Sequence, residues 1–229
     1  ANFTPTAAEQ GKYVRRVTEW TNGVGSDAVG YSAWTGPVAA ADSLLWPTAA
    51  NTGVLPGITR TPYAGGTIVA NGTVIENRNV TGTIEIYGSN VIIRNCKITN
   101  NSWYGILHAG GSNLLVEDCE IDGTGSTGMT GIAIQGGTMR RCNIHGMVIA
   151  VKVWETSNVD DNFIHDLADT SSNPDARHFD GWACHGGSGS RFRRNAVVMP
   201  NPNGGTAASF ISTQEGNLSD TQVLNNLFM

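Results

Sequence analysis

Residues that could do acid–base chemistry gather between positions 152 and 215 of the sequence. His178 and Asp180 place an imidazole and a carboxylate two residues apart, and Lys152 adds an amine. A lyase would use Lys152 or His178 to remove the proton next to a uronate carboxyl group. A hydrolase would instead need two carboxylates about 5–9.5 Å apart. The candidates to pair with Asp180 are Asp175, Asp169 and Glu215. In a non-catalytic reading, His178 and Asp180 only hold a long loop together by hydrogen bonds.

Side chains suited to carbohydrate binding surround these three residues. Trp154 offers a ring that stacks on the apolar face of a sugar, and polar groups nearby can read its hydroxyl groups. Those polar groups belong to Gln135, Arg177, His185, Gln214 and Glu215. We expect two outward rows here, one of Gln135, Trp154, His185 and Gln214 and the other of Ala133, Lys152, Ala183 and Ser212. No triplet with metal-ligand spacing is visible, so we expect neither a metal site nor a cofactor.

The elements that position these residues belong to an internal repeat. The segment VIIRNCKI (91–98) recurs as LLVEDCEI (114–121) and TMRRCNI (138–144), with fainter copies before and after. The copies are 18, 23, 23, 20, 33 and 31 residues apart and predict a solenoid of stacked β coils. One apolar column comprises Ile75, Ile93, Val116, Met139, Val159, Phe192 and Val223, and the other comprises Val80, Ile98, Ile121, Ile144, Ile164, Val197 and Phe228.

Charges support this alignment independently of hydrophobicity. The residue after the first apolar column alternates in sign through six copies: Glu76, Arg94, Glu117, Arg140, Asp160 and Arg193. If the coils stack about 4.8 Å apart, each charge lies between two opposite charges. We therefore interpret these residues as a surface ladder rather than as catalytic groups.

Composition excludes several classes of function. The net charge is −5 and no cluster of lysine or arginine stands out, which argues against a nucleic-acid partner. No apolar run approaches the roughly 20 residues of a membrane-spanning helix, so we expect no membrane insertion. Cys96, Cys119 and Cys142 recur at one place in successive copies and lack CxxC spacing. They predict an interior stack of free thiols rather than a disulfide framework.

Residues 1–39 differ from the repeat. Alternating polar and apolar residues predict two strands, around 12–21 and 26–34, joined by a turn at Asn22-Gly23. Together with Thr4-Pro5-Thr6-Ala7, Gly11-Lys12-Tyr13 and Gly36-Pro37-Val38, the segment resembles the C-terminal part of a bacterial Ig-like domain. The resemblance implies a partial Ig-like β segment, with Tyr13 at the tyrosine corner.

Two further regions complete the expected organisation. Residues 40–66 are rich in proline and glycine near their end, and we expect them to link the regions and cap the solenoid. Residues 67–229 predict an all-β fold, a right-handed parallel β-helix of about seven coils, with the hand following from the rule for parallel crossovers. The coil pattern resembles the pectate-lyase-like superfamily. Because the sequence stops as a coil finishes a strand, we expect the solenoid to be truncated at Met229.

An Ig-like segment followed by a β-helix resembles the minor tail proteins and tail fibres of phages. Residues 51–63 are also similar to a segment that precedes β-helices of actinobacteria and their phages. This resemblance implies a place in the virion, in the phage tail, with a secreted bacterial protein as the alternative. The implied partners are cell-surface polysaccharide and other tail proteins, and the resemblance allows a homotrimer.

Three functions follow from these observations. The first is a phage tail protein that binds a host glycan, the second a polysaccharide lyase or glycoside hydrolase, and the third a structural spacer. Loops lengthen only at 165–180 and 199–208, and insertions in solenoids commonly mark the binding face. Ionisable groups that converge there would favour the polysaccharide-degrading enzyme. An aromatic groove would favour the glycan-binding tail protein, and a face without such features would favour the structural spacer.

Overall fold

The computed structural model describes the backbone of residues 17–21 and 27–31, and residues 45–99, 102–123, 130–168, 179–199, 207–213 and 216–229 with their side chains. The chain divides into two compact units, Ala1–Leu45 and Trp46–Met229. The described residues form β-strands and no helix, which agrees with the all-β prediction. Within those residues there is accordingly no helix long and apolar enough to cross a membrane.

The strands are short, most of them three to five residues. In chain order they are β1 (Val17–Thr21), β2 (Asp27–Tyr31), β3 (Thr61–Tyr63), β4 (Gly66–Ile68), β5 (Val74–Glu76), β6 (Arg78–Val80), β7 (Ile84–Ile86), β8 (Ile92–Arg94), β9 (Lys97–Thr99), β10 (Tyr104–His108), β11 (Leu114–Glu117), β12 (Glu120–Asp122), β13 (Thr130–Ile134), β14 (Gly137–Arg140), β15 (Asn143–His145), β16 (Ile149–Val153), β17 (Ser157–Asp160), β18 (Phe163–His165), β19 (Asp180–Cys184), β20 (Gly187–Ser188), β21 (Arg191–Arg193), β22 (Ala196–Val197), β23 (Ala207–Ile211), β24 (Leu218–Ser219), β25 (Gln222–Leu224) and β26 (Leu227–Phe228).

Three long parallel sheets run the length of the second unit. Sheet 1 has the order β4-β7-β10-β13-β16-β19-β23, sheet 2 the order β5-β8-β11-β14-β17-β21-β25, and sheet 3 the order β3-β6-β9-β12-β15-β18-β22-β26. The chain visits sheets 1, 2 and 3 in turn, so each coil contributes one strand to each sheet, and seven such coils are stacked. This is the parallel β-helix predicted from the sequence. The short strands β20 and β24 form an additional parallel pair.

The first unit contains an antiparallel pair. Strands β1 and β2 pair from Val17↔Tyr31 to Thr21↔Asp27, so the hairpin predicted around Asn22-Gly23 is confirmed. The tyrosine-corner residue Tyr13 lies outside the described residues, and the resemblance to an Ig-like domain stays a prediction.

The core consists of the two apolar columns read from the sequence. Every neighbouring pair of the first column is in register, for example Ile93↔Val116 and Val116↔Met139. The second column is equally in register, as in Ile98↔Ile121. Both columns are buried apart from their last members, Val223 and Phe228, which are 37% and 46% exposed. Aliphatic stacking gives way to aromatic stacking near residue 182, where the Trp182 and Phe192 rings lie 5.0 Å apart.

The charge ladder is also as predicted. Arg94 Nε lies 2.9 Å from Glu76 Oε1, Arg140 Nη2 lies 2.8 Å from Glu117 Oε2, and Arg193 Nη2 lies 2.9 Å from Asp160 Oδ2. A second row, one residue later, adds Arg141–Asp118 and Arg194–Asp161 pairs at 2.7 Å. Because the arginines are substantially exposed, each pair is worth only about 0.2–1 kcal/mol. Their larger effect is on register, since a shifted coil would bring like charges together.

The corner between sheets 2 and 3 is a left-handed turn followed by a buried ladder. The turn residue has φ near +50° in every coil: Asn77, Asn95, Asp118, Arg141, Asp161, Arg194 and Asn225. The next residue points inward, first as the free buried thiols of Cys96, Cys119 and Cys142 and then as asparagines. The prediction of an interior thiol stack is therefore confirmed.

The asparagines of this ladder satisfy the backbone where the coil turns. Asn195 is fully buried, and its Nδ2 donates to the Val159 carbonyl at 2.9 Å and to Asn226 Oδ1 at 3.0 Å. Its Oδ1 accepts from the backbone and side-chain amides of Asn162, both at 2.9 Å. One side chain thus links three successive coils.

The segment before the first coil runs along the flank of the solenoid. The Gly53 amide donates to the Arg141 carbonyl at 2.8 Å, and the Leu55 amide donates to Asn95 Oδ1 at 2.7 Å. Both acceptors belong to the corner between sheets 2 and 3. The first strand of the solenoid sheets begins at Thr61, ahead of the boundary at residue 67 that the sequence indicates. Residues 40–44 of the expected cap lie outside the described residues.

We predict that Asn195→Ala lowers the free energy of unfolding by about 2–3 kcal/mol, because it leaves buried amide and carbonyl groups of two coils without partners. Urea unfolding followed by circular dichroism measures this change. The matched control is Asn79→Ala, since Asn79 is exposed on sheet 3, and it should change stability by less than about 0.5 kcal/mol. Equal effects of the two substitutions would contradict the structural role of the ladder.

Candidate functional site

The outer face of sheet 1 carries the rows predicted to bind a ligand. Pairing places Leu107, Ala133, Lys152, Ala183 and Phe210 side by side on this face. The prediction is correct as far as Ala183, but Phe210 takes the place expected for Ser212. The register of the last strand is set by the inward pair Cys184↔Ile211, which shifts the row by two residues.

Lys152 and Trp154 form the most distinctive contact on this face. The Lys152 ammonium lies 5.0 Å from the centre of the Trp154 ring, within the range of a cation–π interaction. The Tyr104 ring meets the Trp154 ring edge-on, with centroids 6.4 Å apart. Trp154 Nε1 is shielded from solvent and has no hydrogen-bond partner among the described residues. The result is an aromatic pair with a cation beside it on the surface of the sheet.

A groove adjoins this aromatic pair at the corner between sheets 1 and 2. It has a volume of about 560 Å³ and crosses three successive coils. Gln135 lines it and follows Ile134, whose carbonyl accepts a hydrogen bond from the Trp154 amide at 3.2 Å. Most other side chains that line the groove are polar: Ser112, Asn113, Thr138, Arg140, Glu155, Thr156 and Asn158. With coils about 4.8 Å apart, the groove spans roughly 10 Å along the helix axis.

The remaining predicted site residues are less accessible or lie outside the described residues. His185 is buried, with Nδ1 3.2 Å from Ser212 Oγ and its ring 5.7 Å from the Phe210 ring. Asp180 is also buried, at the first position of β19, a strand that continues into the core residues Trp182 and Cys184. Arg177, His178, Gln214 and Glu215 lie outside the described residues. Their roles, and the catalytic roles of Lys152 and Asp180, stay predictions.

A second set of ionisable groups lies on the outer face of sheet 3. Glu120 and Asp122 flank the inward Ile121 on β12, and His145 follows the inward Ile144 on β15. Parallel pairing puts Asp122 beside His145 and His145 beside His165. We call Glu120, Asp122, His145 and their neighbours Lys97 and His165 the sheet 3 cluster.

Charges in the sheet 3 cluster are closely coupled. Lys97 Nζ lies 2.9 Å from Glu120 Oε1, and His145 Nε2 lies 3.5 Å from the same oxygen. The contact with His145, followed by the one with Lys97, lowers the pKa of Glu120 to about 2. His145 Nδ1 in turn faces Asp122 Oδ1 at 3.6 Å.

The neighbouring histidine is held in place by its own partners. His165 Nδ1 lies 2.6 Å from Asp166 Oδ2, and His165 Nε2 lies 2.8 Å from Asn143 Oδ1. Its ring stacks on His145 at 5.0 Å and on Phe163 at 4.4 Å. Sequence reasoning missed the sheet 3 cluster, although the signal was present. The residues on either side of the second apolar column read Lys97-Thr99, Glu120-Asp122, Asn143-His145 and Phe163-His165.

Comparison with known protein families agrees with this architecture. The family model described as the right handed beta helix region matches residues 61–197, more than half of the chain. The chain belongs to the right-handed β-helix family. No curated protein matches the chain significantly. No solved structure matches it significantly either.

His108 lies inside this β-helix next to the groove. It is fully buried, and its Nδ1 accepts a hydrogen bond from the Gln135 amide at 3.3 Å. Burial lowers the pKa of His108, and the negative charge of Glu155 offsets part of this effect. Folding therefore favours the neutral imidazole, whose unprotonated nitrogen accepts the hydrogen bond from the Gln135 backbone.

We predict that His108 makes the β-helix sensitive to acid. The unfolded imidazole takes up a proton near pH 6.5, whereas the lowered pKa of the folded imidazole delays its protonation to a lower pH, so the free energy of unfolding should fall as the pH drops below 6.5. One such group contributes at most about 1.4 kcal/mol per pH unit. Urea unfolding of the wild type and of His108→Leu at pH 5, 6 and 7 measures the difference, and the variant should show the shallower dependence. Identical slopes would contradict this assignment.

Proposed function

We propose that this β-helix binds a cell-surface glycan through the groove and the Lys152–Trp154 face beside it, as part of a phage tail. The observation that carries the proposal is the aromatic pair of Trp154 and Tyr104 next to a polar groove that contains Gln135. An aromatic ring covers the apolar face of a pyranose, while amide, hydroxyl and charged groups bond its hydroxyl groups. Both kinds of contact are present within neighbouring coils.

The dimensions of the groove suit an oligosaccharide. It is elongated across three coils and is lined mainly by polar side chains, so a ligand would lie along the helix axis. Arg140 and Glu155 place opposite charges among these polar groups. Arg140 is already bonded to Glu117 at 2.8 Å, which fixes its guanidinium as a donor at the edge of the groove. Because the groove is built from successive coils, its polar groups are spaced along the helix axis and suit a polysaccharide, whose sugar units also repeat along its length.

The assignment to a phage tail rests on the resemblance of the sequence. The Ig-like segment precedes a β-helix, and residues 51–63 are similar to a segment found before β-helices of actinobacteria and their phages. A tail protein of this kind would contact the host surface and other tail proteins, and it allows a homotrimer. A secreted bacterial protein with the same glycan-binding face is the alternative location.

Glycan binding is favoured over cleavage because the described groups do not converge as an acid–base pair. Asp180 is buried at the first position of β19, whereas Lys152 is partly exposed on the outer face of β16. Asp180 pairs with Ile149, three positions from Lys152 along β16, which is about 10 Å at the rise of a strand. The lyase and hydrolase alternatives depend on His178, Arg177 and Glu215, which lie outside the described residues.

We predict that Trp154→Ala weakens binding to purified actinobacterial cell-wall or capsular glycans by about tenfold or more, because the sugar loses its stacking surface. Biolayer interferometry with immobilised glycans measures the affinity. The control is Trp46→Ala, since Trp46 is 42% exposed and precedes the solenoid strands. It should bind as the wild type does.

The same experiment distinguishes the alternatives. Reducing ends and absorbance near the unsaturated-uronate band are followed in parallel with the wild type and with a His178→Ala/Asp180→Ala variant. Product formed by the wild type and lost in the variant would replace the binding proposal with an enzyme. Absence of binding to any glycan, or equal binding by Trp154→Ala, would overturn the proposed site.

A further inference from the structure

We propose that Glu120, Asp122 and His145 bind one transition-metal dication of the Zn²⁺ type on the outer face of sheet 3. The three side chains each offer one ligand atom, and these atoms lie within 4.8 Å of one another. Two carboxylates come from β12 and the imidazole from β15, so the ion would join two successive coils. This site lies on a different sheet from the groove and does not depend on the proposed glycan binding.

The nitrogens of His145 lie beyond the distance of a good hydrogen bond from the two carboxylates. His145 Nε2 is 3.5 Å from Glu120 Oε1, and His145 Nδ1 is 3.6 Å from Asp122 Oδ1. Good N–H···O hydrogen bonds are shorter, about 2.7–3.2 Å. Ligand atoms bound to one zinc ion at about 2.0–2.1 Å in tetrahedral geometry lie about 3.3 Å apart. One ion binds only one nitrogen of His145, so the three partly exposed side chains would rotate to bring their ligand atoms from within 4.8 Å of one another to this separation.

The imidazole is already oriented for coordination. One ring nitrogen of His145 would bind the ion together with the two carboxylates, and the ring itself is held in place by its neighbour. The His165 ring stacks against His145 at 5.0 Å and is itself held by Asn143 and Asp166. An imidazole ligand favours a transition metal over Mg²⁺ or Ca²⁺, which prefer oxygen ligands alone.

The net negative charge around the site favours a dication, but the ammonium group of Lys97 competes with the ion for Glu120. With neutral imidazoles, the three carboxylates of Glu120, Asp122 and Asp166 and the single ammonium of Lys97 leave a net charge of −2. Lys97 Nζ contacts Glu120 Oε1 at 2.9 Å, while Glu120 Oε2 has no partner among the described residues. An incoming ion would bind the second oxygen or displace the ammonium. Removal of Lys97 should therefore strengthen metal binding.

The test uses the intact chain, freed of metal by chelation, with Co²⁺ and Zn²⁺ as probes. We expect one Co²⁺ per chain, a visible d–d absorption band typical of low coordination number, displacement by Zn²⁺, and a rise in Tm with metal. His145→Phe keeps a ring against His165 and Glu120→Gln keeps the side-chain shape, and each should weaken binding by about tenfold or more. Lys97→Met should tighten binding about two- to fivefold, the equivalent of removing one exposed ion pair.

The control is Glu85→Gln, because Glu85 bonds Thr67 and Tyr87 on sheet 1, away from the cluster. It should bind metal as the wild type does. If His145→Phe or Glu120→Gln reduces Tm without metal, Lys97→Met still tests the site, because misfolding does not tighten binding. Failure of Co²⁺ to bind below about 1 mM, binding unchanged in both ligand variants, or no gain in Lys97→Met would each overturn the proposal. Glycan affinity is measured on the same variants and should not change.

Discussion

Parallel pairing of successive coils is the constraint on which the rest of this protein depends. Each coil contributes one strand to each of three sheets, and its backbone groups find their partners only in the coil before and the coil after. A side chain therefore always lies between two side chains at the same position of the repeat. Inside the solenoid, isoleucine, valine and methionine stack on one another. Outside it, charged residues that occupy the same position of the repeat alternate in sign, because neighbouring like charges would repel. The chain has one register that satisfies both conditions.

The corner between sheets 2 and 3 shows how this constraint extends to polar groups. The backbone must turn sharply there, so each coil places a residue at positive φ, and asparagine or aspartate often fills that position. The next side chain points inward at the point where backbone carbonyl and amide groups leave the sheets. Asn162, Asn195 and Asn226 bond these groups and one another, whereas the earlier coils use thiols that donate weakly to the carbonyls. The polar ladder therefore begins where the core becomes aromatic, near Trp182.

The sequence was sufficient for the features that recur in every coil. The two apolar columns, the charge ladder and the thiol stack repeat up to seven times, so a wrong alignment would have failed at several places at once. The last strand of sheet 1 was placed two residues too late because AASFIST (207–213) has only two large apolar side chains with which to fix its phase. The limits of the segment before the first coil had no repeat to define them, and its contacts with Asn95 and Arg141 could not be inferred.

Candidate sites were harder to predict because they depend on which different residues the stacking brings together. The row of Gln135, Trp154 and His185 was predicted by following the second strand of each coil; Gln135 lines the groove and Trp154 lies beside it. His185 was expected to be exposed, but Ser212 and Phe210 of the next coil cover it. The sheet 3 cluster was missed because no single segment contains it. Glu120 and His145 are 25 positions apart in the sequence, and only the register makes them neighbours.

The outer faces of the three sheets differ in how regularly their side chains alternate from coil to coil, and this difference bears on where a ligand can bind. The charge ladder of sheet 2 alternates in sign, so each carboxylate is neutralised by an arginine and little net charge remains to attract a ligand. On sheet 3 the alternation breaks after Lys97, because Glu120 is followed by Asn143 and Asp122 by two histidines, His145 and His165, rather than by arginines. On sheet 1 two buried alanines flank Lys152, whose ammonium lies over the Trp154 ring. In both places the repeat keeps the backbone regular while a departure from the repeating side chain creates the surface proposed to bind a ligand.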